Sequence, residues 1–299
     1  MKLRGCGTAL ITPFKQDGSI DEAAVRSLVE WQVTSGIDFL VPCGTTGETP
    51  TLSESEWLRV IDITAEVVHG RVPLVAGATS NCTEEAVAKA KKVSTRKIDA
   101  ILTASPYYNK PTQEGQFQHF QAIARAADKP LVLYNVPGRT GANLEPATLA
   151  RLAKIENIIA VKEASGVMTQ IAEALNVLPE GFLVFSGDDA ITLPVISLGG
   201  VGVISVASNV IPGELAKMTR AALGNDWEGA RKLFRRYLPL MQALFIESNP
   251  LPVKAVLAMM GRIEEIYRLP LTPVRPQTRE RLKSVVSEVG LLLESAIAR

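Results

Sequence analysis

The chain has 299 residues, of which 46% are hydrophobic and 21% are charged, a composition typical of a globular protein with one large domain or a domain and an appendage. Its 32 Lys and Arg side chains nearly balance 31 Asp and Glu side chains, which argues against a surface built mainly to bind nucleic acid or an anionic membrane. No apolar run approaches the roughly 20 residues that span a bilayer, and the first residues lack the apolar stretch of a signal peptide.

Short apolar runs recur between residues 8 and 208. They are almost continuously apolar rather than alternating, a pattern typical of parallel strands that are buried on both faces. The runs are 8–13, 39–44, 73–78, 100–106, 130–137, 158–165, 182–188 and 201–208. We therefore predict eight parallel strands.

Amphipathic segments of helical length lie between the runs. In residues 21–35, one helical face carries Val25, Leu28, Val29 and Gln32 or Trp31. Residues 53–56 have the spacing of a capping box at a helix start. Thr83 is predicted to cap a further helix, and Pro146 is predicted to lie in the first turn of another.

Strands that alternate with helices in this way predict an α/β fold, a (β/α)8 barrel. A doubly wound open sheet is the alternative, but its Gly-rich dinucleotide fingerprint is absent after the first strand. From about residue 225 the pattern becomes purely helical, at 227–248, 252–260 and 276–298. We predict a catalytic barrel over residues 1–224 and a C-terminal helical domain over 225–299, packed against each other.

Polar and ionisable side chains collect where the predicted strands end, although the strand bodies are aliphatic. The carboxyl ends of the strands form the active site in barrels of this type, and a packing requirement alone would not produce the asymmetry. The segments at these ends are 44–48, 106–109, 134–140, 162–163, 187–189 and 204–205.

Lys162 follows the apolar residues 158–161 directly, so its amine is expected to start from a desolvated strand end. Desolvation disfavours the charged form of a lysine, and a neutral amine can attack a ketone to form a Schiff base. The alternative is that Lys162 reaches water and pairs with Glu163. Lys254 also lies in an apolar stretch, but we predict a solvated head on an aliphatic stem there, as is usual in a helical region.

Hydroxyl groups are predicted beside this lysine. Tyr134 and Tyr108 would lie on neighbouring strand ends, with Thr45 nearby, and such a chain of hydroxyls could shuttle protons during imine formation. Packing at the rim is the alternative for Tyr107 and Tyr108.

Two further rim features could bind carboxylates. Residues 44–47 form a tight polar turn with backbone N–H groups, and no lysine follows its second glycine as a Walker motif requires. Arg139 could bind a carboxylate through two hydrogen bonds, with a surface salt bridge as the alternative. Asp188 and Asp189 resemble a metal pair, but we favour Asp189 as a helix N-cap.

The cysteines Cys6, Cys43 and Cys82 have no paired spacing, which is typical of reduced thiols in a cytoplasmic protein. The chain has only 2 histidines and no Cys/His cluster, so no metal site is predicted.

Four of these segments resemble motifs of the dihydrodipicolinate synthase family, within the wider group of pyruvate-dependent aldolases that includes N-acetylneuraminate lyase. They are GTTGE at 44–48, YNVPGRT at 134–140, VKEA at 161–164 and ESNPLPVK at 247–254, in the order of the family. The resemblance runs from Gly7 to about Met260. It implies a lyase that condenses pyruvate with L-aspartate 4-semialdehyde to 4-hydroxy-tetrahydrodipicolinate, in lysine and diaminopimelate biosynthesis, without a metal or organic cofactor.

The resemblance also implies catalytic roles. Lys162 would form a covalent imine with pyruvate, and Tyr134, Thr45 and Tyr108 would make a proton relay. Tyr108 would act across a tight dimer interface, in the site of the neighbouring subunit of a homotetramer built as a dimer of dimers.

Substrate-binding roles come from the same resemblance. Thr46 would hold the pyruvate carboxylate and Arg139 the carboxylate of aspartate semialdehyde, while Gly187 and Ile204 would contribute backbone carbonyl contacts. Sialic-acid lyases and sugar-acid aldolases look different around Arg139 and often carry Ser in place of Thr45.

Lysine-inhibited members of the family bind lysine at the dimer interface. The matching positions here are Thr49, Glu54, Trp57, Asn81, Glu85 and Tyr107. Glu54 and Trp57 stand where many sensitive bacterial enzymes have histidine, so feedback inhibition is an open hypothesis.

Two other functions remain open from the sequence. One is a pyruvate-dependent aldolase of the same fold that acts on a sugar acid or a hydroxy-keto acid. The other is a catalytically silent barrel that binds a keto acid for regulation, which is disfavoured because every expected catalytic position is filled.

Overall fold

A closed ring of parallel strands forms the centre of the protein. The computed structural model describes residues 3–291, and its strands are β1 (Gly5–Ala9), β2 (Phe39–Val41), β3 (Val75–Gly77), β4 (Ala100–Ala104), β5 (Leu131–Asn135), β6 (Ile158–Glu163), β7 (Leu183–Ser186) and β8 (Gly202–Ser205). Their order in the sheet is β2-β1-β8-β7-β6-β5-β4-β3. A parallel bridge between Leu40 and Leu74 joins the two ends. The predicted (β/α)8 barrel is therefore confirmed.

The first strand lies further toward the amino terminus than the predicted run at 8–13. It begins at Gly5 and includes Gly7, where a Cβ atom would lie 2.1 Å from the Phe39 ring. Only glycine fits at so close an approach. Because Gly5 and Gly7 flank Cys6, no continuous apolar run marks the start of this strand. Leu10 still donates its N–H to the Val41 carbonyl of β2, whereas Ile11 donates its N–H to the Asn209 side chain instead.

Helices surround the barrel. They are α1 (Glu22–Thr34), α2 (Glu54–Val68), α3 (Thr83–Ser94), α4 (Gln113–Ala126), α5 (Pro137–Thr140), α6 (Pro146–Leu152), α7 (Met168–Val177), α8 (Thr192–Ser197), α9 (Pro212–Leu223), α10 (Trp227–Ala243), α11 (Leu251–Met259) and α12 (Pro276–Glu288). In α1 the predicted apolar face is buried, and Gln32 rather than Trp31 completes it.

Local sequence signals predict the starts of α2 and α6 correctly. Ser53 and Glu56 form the predicted capping box of α2, and Pro146 lies in the first turn of α6. The predicted cap at Thr83 is wrong. Thr83 is the first residue of α3 itself, and its hydroxyl is 2.9 Å from His119 Nδ1, because a partner on α4 competes with the local cap.

Apolar side chains pack in two layers. One cluster fills the barrel, where Phe39 and Phe185 meet edge to face with ring centroids 5.3 Å apart. The other lies between the strands and the helices. Since both faces of each strand are buried, the sequences of the strands are almost continuously apolar.

The C-terminal helices continue the outer cluster. Leu240 on α10, Val253 on α11 and Leu282 on α12 are fully buried in it. Helix α10 ends at Ala243 rather than 248, and the predicted last helix extends past the described residues, which end at 291. The division at residues 224 and 225 stays a prediction. No helix in the described part of the chain is long and apolar enough to cross a membrane.

Candidate active site

A cavity of about 120 Å³ opens at the carboxyl ends of the strands. The loops after several strands and the segment before α11 line it together, as expected for a barrel of this type. Its lining includes Thr46, Tyr134, Arg139, Lys162, Gly187 and Asn249. The structure thus brings five of the predicted site residues to one place.

Lys162 lies near the end of β6 and is 5% exposed. Its Nζ is 4.2 Å from the centre of the Tyr134 ring, because Tyr134 is its register partner on β5. The Glu163 side chain faces elsewhere and accepts hydrogen bonds from the Asn135 side chain and the Ser165 N–H. The alternative in which Lys162 reaches water and pairs with Glu163 is therefore wrong.

Glu163 itself is buried beside this lysine. Burial raises the pKa of the Glu163 carboxyl, and its hydrogen bonds from Ser165 and Asn135 oppose that rise. The carboxyl orders the loop after β6 through those hydrogen bonds.

Gly187 makes room for the lysine. A Cβ atom at this position would lie 3.2 Å from Lys162 Cε and 2.6 Å from the Ala164 Cβ. Any larger residue would push the lysine stem or its neighbour aside. Gly187 also donates its N–H to the Glu163 carbonyl at 2.7 Å, which fixes the loop after β7 against β6.

The turn after β2 is a 3-10 turn from Thr45 to Gly47. The N–H groups of Gly47 and Glu48 donate within it, to the carbonyls of Gly44 and Thr45. A carboxylate could therefore be bound only by the first N–H groups of the turn. The Thr46 hydroxyl is buried and accepts a hydrogen bond of 2.9 Å from Asn249 Nδ2.

A second cavity, of about 270 Å³, adjoins the first and shares Tyr134 and Arg139 with it. Thr45 and Tyr107 line this larger cavity. Thr45 therefore lines the larger cavity, whereas Thr46 lines the smaller one together with Lys162.

Arg139 is exposed and lies in the short helix α5. Its Nη2 donates to the Asn249 carbonyl at 3.0 Å. Within residues 3–291 no carboxylate lies within 4.0 Å of its guanidinium, so the surface salt bridge considered as an alternative is not formed. The guanidinium retains donors for a ligand at the mouth of both cavities.

Tyr108 and Ile204 lie apart from the two cavities. The Tyr108 side chain is 88% exposed, with a backbone φ of 74°, so rim packing within its own chain is wrong for this residue. Ile204 is 1% exposed in the barrel interior. Neither residue is among those that line the two cavities, and their predicted roles stay predictions.

The paired aspartates after β7 bind backbone groups. Asp188, not Asp189, caps the following 3-10 turn by accepting from the Ala190 N–H at 2.8 Å. The buried Asp189 carboxylate accepts from the N–H groups of Val206 and Ala207. Burial raises its pKa, and these hydrogen bonds oppose that rise. The predicted cap at Asp189 is wrong because the residues after β8 supply it with donors that the local sequence does not reveal.

The position of the Lys254 side chain differs from the prediction. Its side chain is completely buried, and its Nζ donates to Glu48 Oε1 at 2.6 Å and to the Thr12 carbonyl at 3.1 Å. The predicted solvated head is therefore wrong, since a carboxylate 206 residues away in the chain replaces water as its partner.

Asn249 was missed as a site residue. It lies in the small cavity, and its Oδ1 is buried with no hydrogen-bond partner among the described residues. The available signal was its place inside the segment 247–254, which we singled out as a motif without assigning its asparagine.

The six positions considered for lysine binding lie on the side of the rim formed by β2, α2, α3 and β4. Asn81 donates to the Tyr107 carbonyl, and Glu85 accepts from Ser80. Thr49 donates to the Gly44 carbonyl. Glu54 pairs with Lys92 at 2.6 Å. Trp57 is buried and donates its indole N–H to the Gly77 carbonyl, so it serves the core.

No group of three or more His, Cys, Asp or Glu side chains in residues 3–291 is placed to hold a metal ion.

Comparison with known proteins gives a consistent result. The model of the Dihydrodipicolinate synthetase family matches residues 2–289. The 4-hydroxy-tetrahydrodipicolinate synthase of Koribacter versatilis is 69% identical over 300 residues and covers 100% of both chains. The solved dihydrodipicolinate synthase of Acinetobacter baumannii in complex with pyruvate has a TM-score of 0.96 and 40% identity, with 97% of this chain and 100% of that chain covered. The enzyme of Cyanidioschyzon merolae with lysine bound has a TM-score of 0.93 and 42% identity, with 97% and 99% covered.

Proposed function

Since the chain belongs to the dihydrodipicolinate synthetase family, we propose that its rim cavity carries out the family reaction through a covalent imine between pyruvate and Lys162. The protein is a lyase of the class I aldolase type that condenses pyruvate with L-aspartate 4-semialdehyde to 4-hydroxy-tetrahydrodipicolinate, in lysine and diaminopimelate biosynthesis. The names of its relatives favour this reaction over the sugar-acid aldolase and the silent barrel. The buried Lys162 in the small cavity is the observation that carries the imine.

The chemistry needs an uncharged amine at the strand end. Lys162 Nζ attacks the ketone carbon of pyruvate, and the ketone oxygen leaves as water after two proton transfers. Loss of a methyl proton gives an enamine, whose carbon attacks the aldehyde of the second substrate. The amine of that substrate then attacks the imine carbon, closes the ring and releases Lys162. No external cofactor enters this sequence.

Protons must move at each of these steps. Tyr134 is 7% exposed and lies under the Lys162 amine, so its hydroxyl is the group we assign to carry them. Thr45 in the adjoining cavity extends the relay. Tyr108 is exposed at the surface of its own chain, and we propose that it completes the relay in a neighbouring subunit. A homotetramer built as a dimer of dimers, in the cytoplasm, agrees with that role.

Carboxylate recognition divides between two parts of the rim. We assign the pyruvate carboxylate to Thr46, beside Lys162, and the carboxylate of aspartate semialdehyde to Arg139 at the mouth. Gly187 gives the lysine stem its space. Ile204 contributes its backbone carbonyl from the end of β8. These assignments place both substrates within one cavity about the same amine.

Replacing Arg139 with lysine is expected to raise the KM for aspartate semialdehyde by about 10- to 100-fold, because lysine cannot form two parallel hydrogen bonds to a carboxylate. Initial rates with aspartate semialdehyde, N-acetylmannosamine and glyceraldehyde test the specificity directly, with aspartate semialdehyde expected as the preferred aldehyde. Arg151, exposed and paired with Glu114, gives the control variant Arg151→Lys. An Arg139→Ala protein with full activity on aspartate semialdehyde would contradict the assignment.

We propose that the face with Asn81, Glu85 and Tyr107 binds lysine as a feedback inhibitor. Asn81 and Tyr107 are already joined by a hydrogen bond, and the Glu85 carboxylate can pair with an ammonium group. A titration of the initial rate with L-lysine is expected to show inhibition in the millimolar range. A rate that stays constant over that range would remove this proposal.

A further inference from the structure

A completely buried ion pair lies directly beneath the turn after β2. Glu48 is the residue that ends this turn, in a left-handed backbone conformation with φ of 53°. Its carboxylate meets the Lys254 ammonium at 2.6 Å, and both side chains have 0% exposure. Lys254 Nζ also lies 4.4 Å from the centre of the Phe14 ring. Nothing in the proposed chemistry uses either charge.

The pair is costly to bury. Burial lowers the pKa of Lys254, and the Glu48 carboxylate opposes that change. A buried ion pair is a weak source of stability, because the loss of hydration of both charges offsets their attraction. In other proteins, replacement of a buried ion pair with well-packed apolar residues is often neutral or stabilising. The geometry that the pair imposes is therefore the better explanation of its presence.

The ion pair lies between segments that contact Thr46 and Arg139, the two residues assigned to bind carboxylates. On one side, Glu48 follows Gly47, whose carbonyl accepts from the Thr12 hydroxyl at 2.8 Å, and Lys254 donates to the Thr12 carbonyl. On the other side, Lys254 lies in the first turns of α11, just after Asn249. Asn249 donates to the Thr46 hydroxyl.

Asn249 also accepts from Arg139 through its carbonyl. The ion pair thus holds the segment with Asn249, which contacts Thr46 and Arg139, against the turn that contains Thr46. Two segments far apart in the chain meet at this point, and Glu48 and Lys254 hold them in one register.

We propose that Glu48 and Lys254 are positioning residues for pyruvate, which act by holding Thr46 against Asn249 beside Lys162. The inference rests on the proposed function of the cavity. Neither side chain contacts the substrate. The pair acts on the hydroxyl that receives the pyruvate carboxylate, so its loss weakens pyruvate binding more than it slows the later steps.

Two variants test this inference. Glu48→Gln keeps the shape and an acceptor for Lys254, and the double variant Glu48→Gln/Lys254→Met removes both charges and leaves no unpaired buried ion. The matched control is Glu214→Gln/Lys217→Met, which makes the same changes in an exposed pair on α9. For each protein, KM and kcat for pyruvate are measured at saturating aspartate semialdehyde, and the pyruvate dependence of borohydride trapping on Lys162 is measured separately.

In the double variant we expect the KM for pyruvate to rise about 10-fold with kcat within about threefold of the control. Half-maximal trapping on Lys162 should need about 10-fold more pyruvate. The single variant Glu48→Gln should show a smaller rise in the KM for pyruvate, again with little change in kcat. A KM within about twofold of the control in both variants would overturn the inference. So would the failure of both variants to fold, by circular dichroism and thermal unfolding, since the pair would then serve stability. Absence of any adduct in the unaltered protein would instead count against the proposed function.

Discussion

Replacing Lys162 with arginine is expected to lower the rate of condensation at least about 10,000-fold, because the guanidinium stays charged and cannot form the imine. The substitution keeps a long cationic side chain. If Lys162 served only as a structural charge, the effect on the rate would therefore be small. Reduction with borohydride in the presence of pyruvate, followed by peptide mass mapping, should find the adduct on Lys162 in the unaltered protein. The Lys162→Arg protein should carry none.

Lys97 provides the control for this experiment. It is exposed and precedes β4, at the end of the barrel opposite the cavity. Lys97→Arg should keep the full rate and the full yield of adduct. If the adduct in the unaltered protein formed on a different lysine, or if Lys162→Arg retained substantial activity, the proposed chemistry would be wrong at its central step.

The barrel could be predicted because its signal is local. Each strand is buried on both faces by the two apolar layers, so each run of apolar residues in the sequence corresponds to one strand. The rim could be predicted for the same reason, since polar residues at Tyr134 and Lys162 end such runs. The predicted position of β1 is wrong because close packing against Phe39 requires glycine at position 7, and the sequence of one segment does not show its contacts with a neighbouring strand.

The remaining parts of the site depend on contacts between segments that lie far apart in the chain. Lys254 looked like an ordinary helical lysine, and only the fold reveals that Glu48 is its partner. Asp189 was interpreted from its own neighbours, although its donors come from the residues after β8. In both cases a charged group has exchanged water for a distant partner. No pattern of spacing within either segment encodes that exchange.

The Tyr108 side chain marks a different limit. Its position at the end of β4 predicted a place near Tyr134, whereas the fold of one chain leaves it 88% exposed. Under our proposal that Tyr108 completes the site of a neighbouring subunit, its role depends on assembly. The kinetics of mixed oligomers would test that role.

Replacing Tyr134 with phenylalanine is expected to lower kcat about 100- to 1,000-fold, the usual contribution of a proton-transfer group. The aromatic ring that lies 4.2 Å from Lys162 Nζ remains in this variant, so the lysine keeps its packing and only the hydroxyl is lost. The adduct with pyruvate should still form on Lys162, but more slowly, which separates proton transfer from nucleophilic attack. Tyr237→Phe, a buried tyrosine on α10 outside both cavities, is the matched control and should keep the full rate. A Tyr134→Phe protein with unchanged kcat would assign the relay to other groups, because the Tyr134 hydroxyl would then carry no proton that limits the reaction.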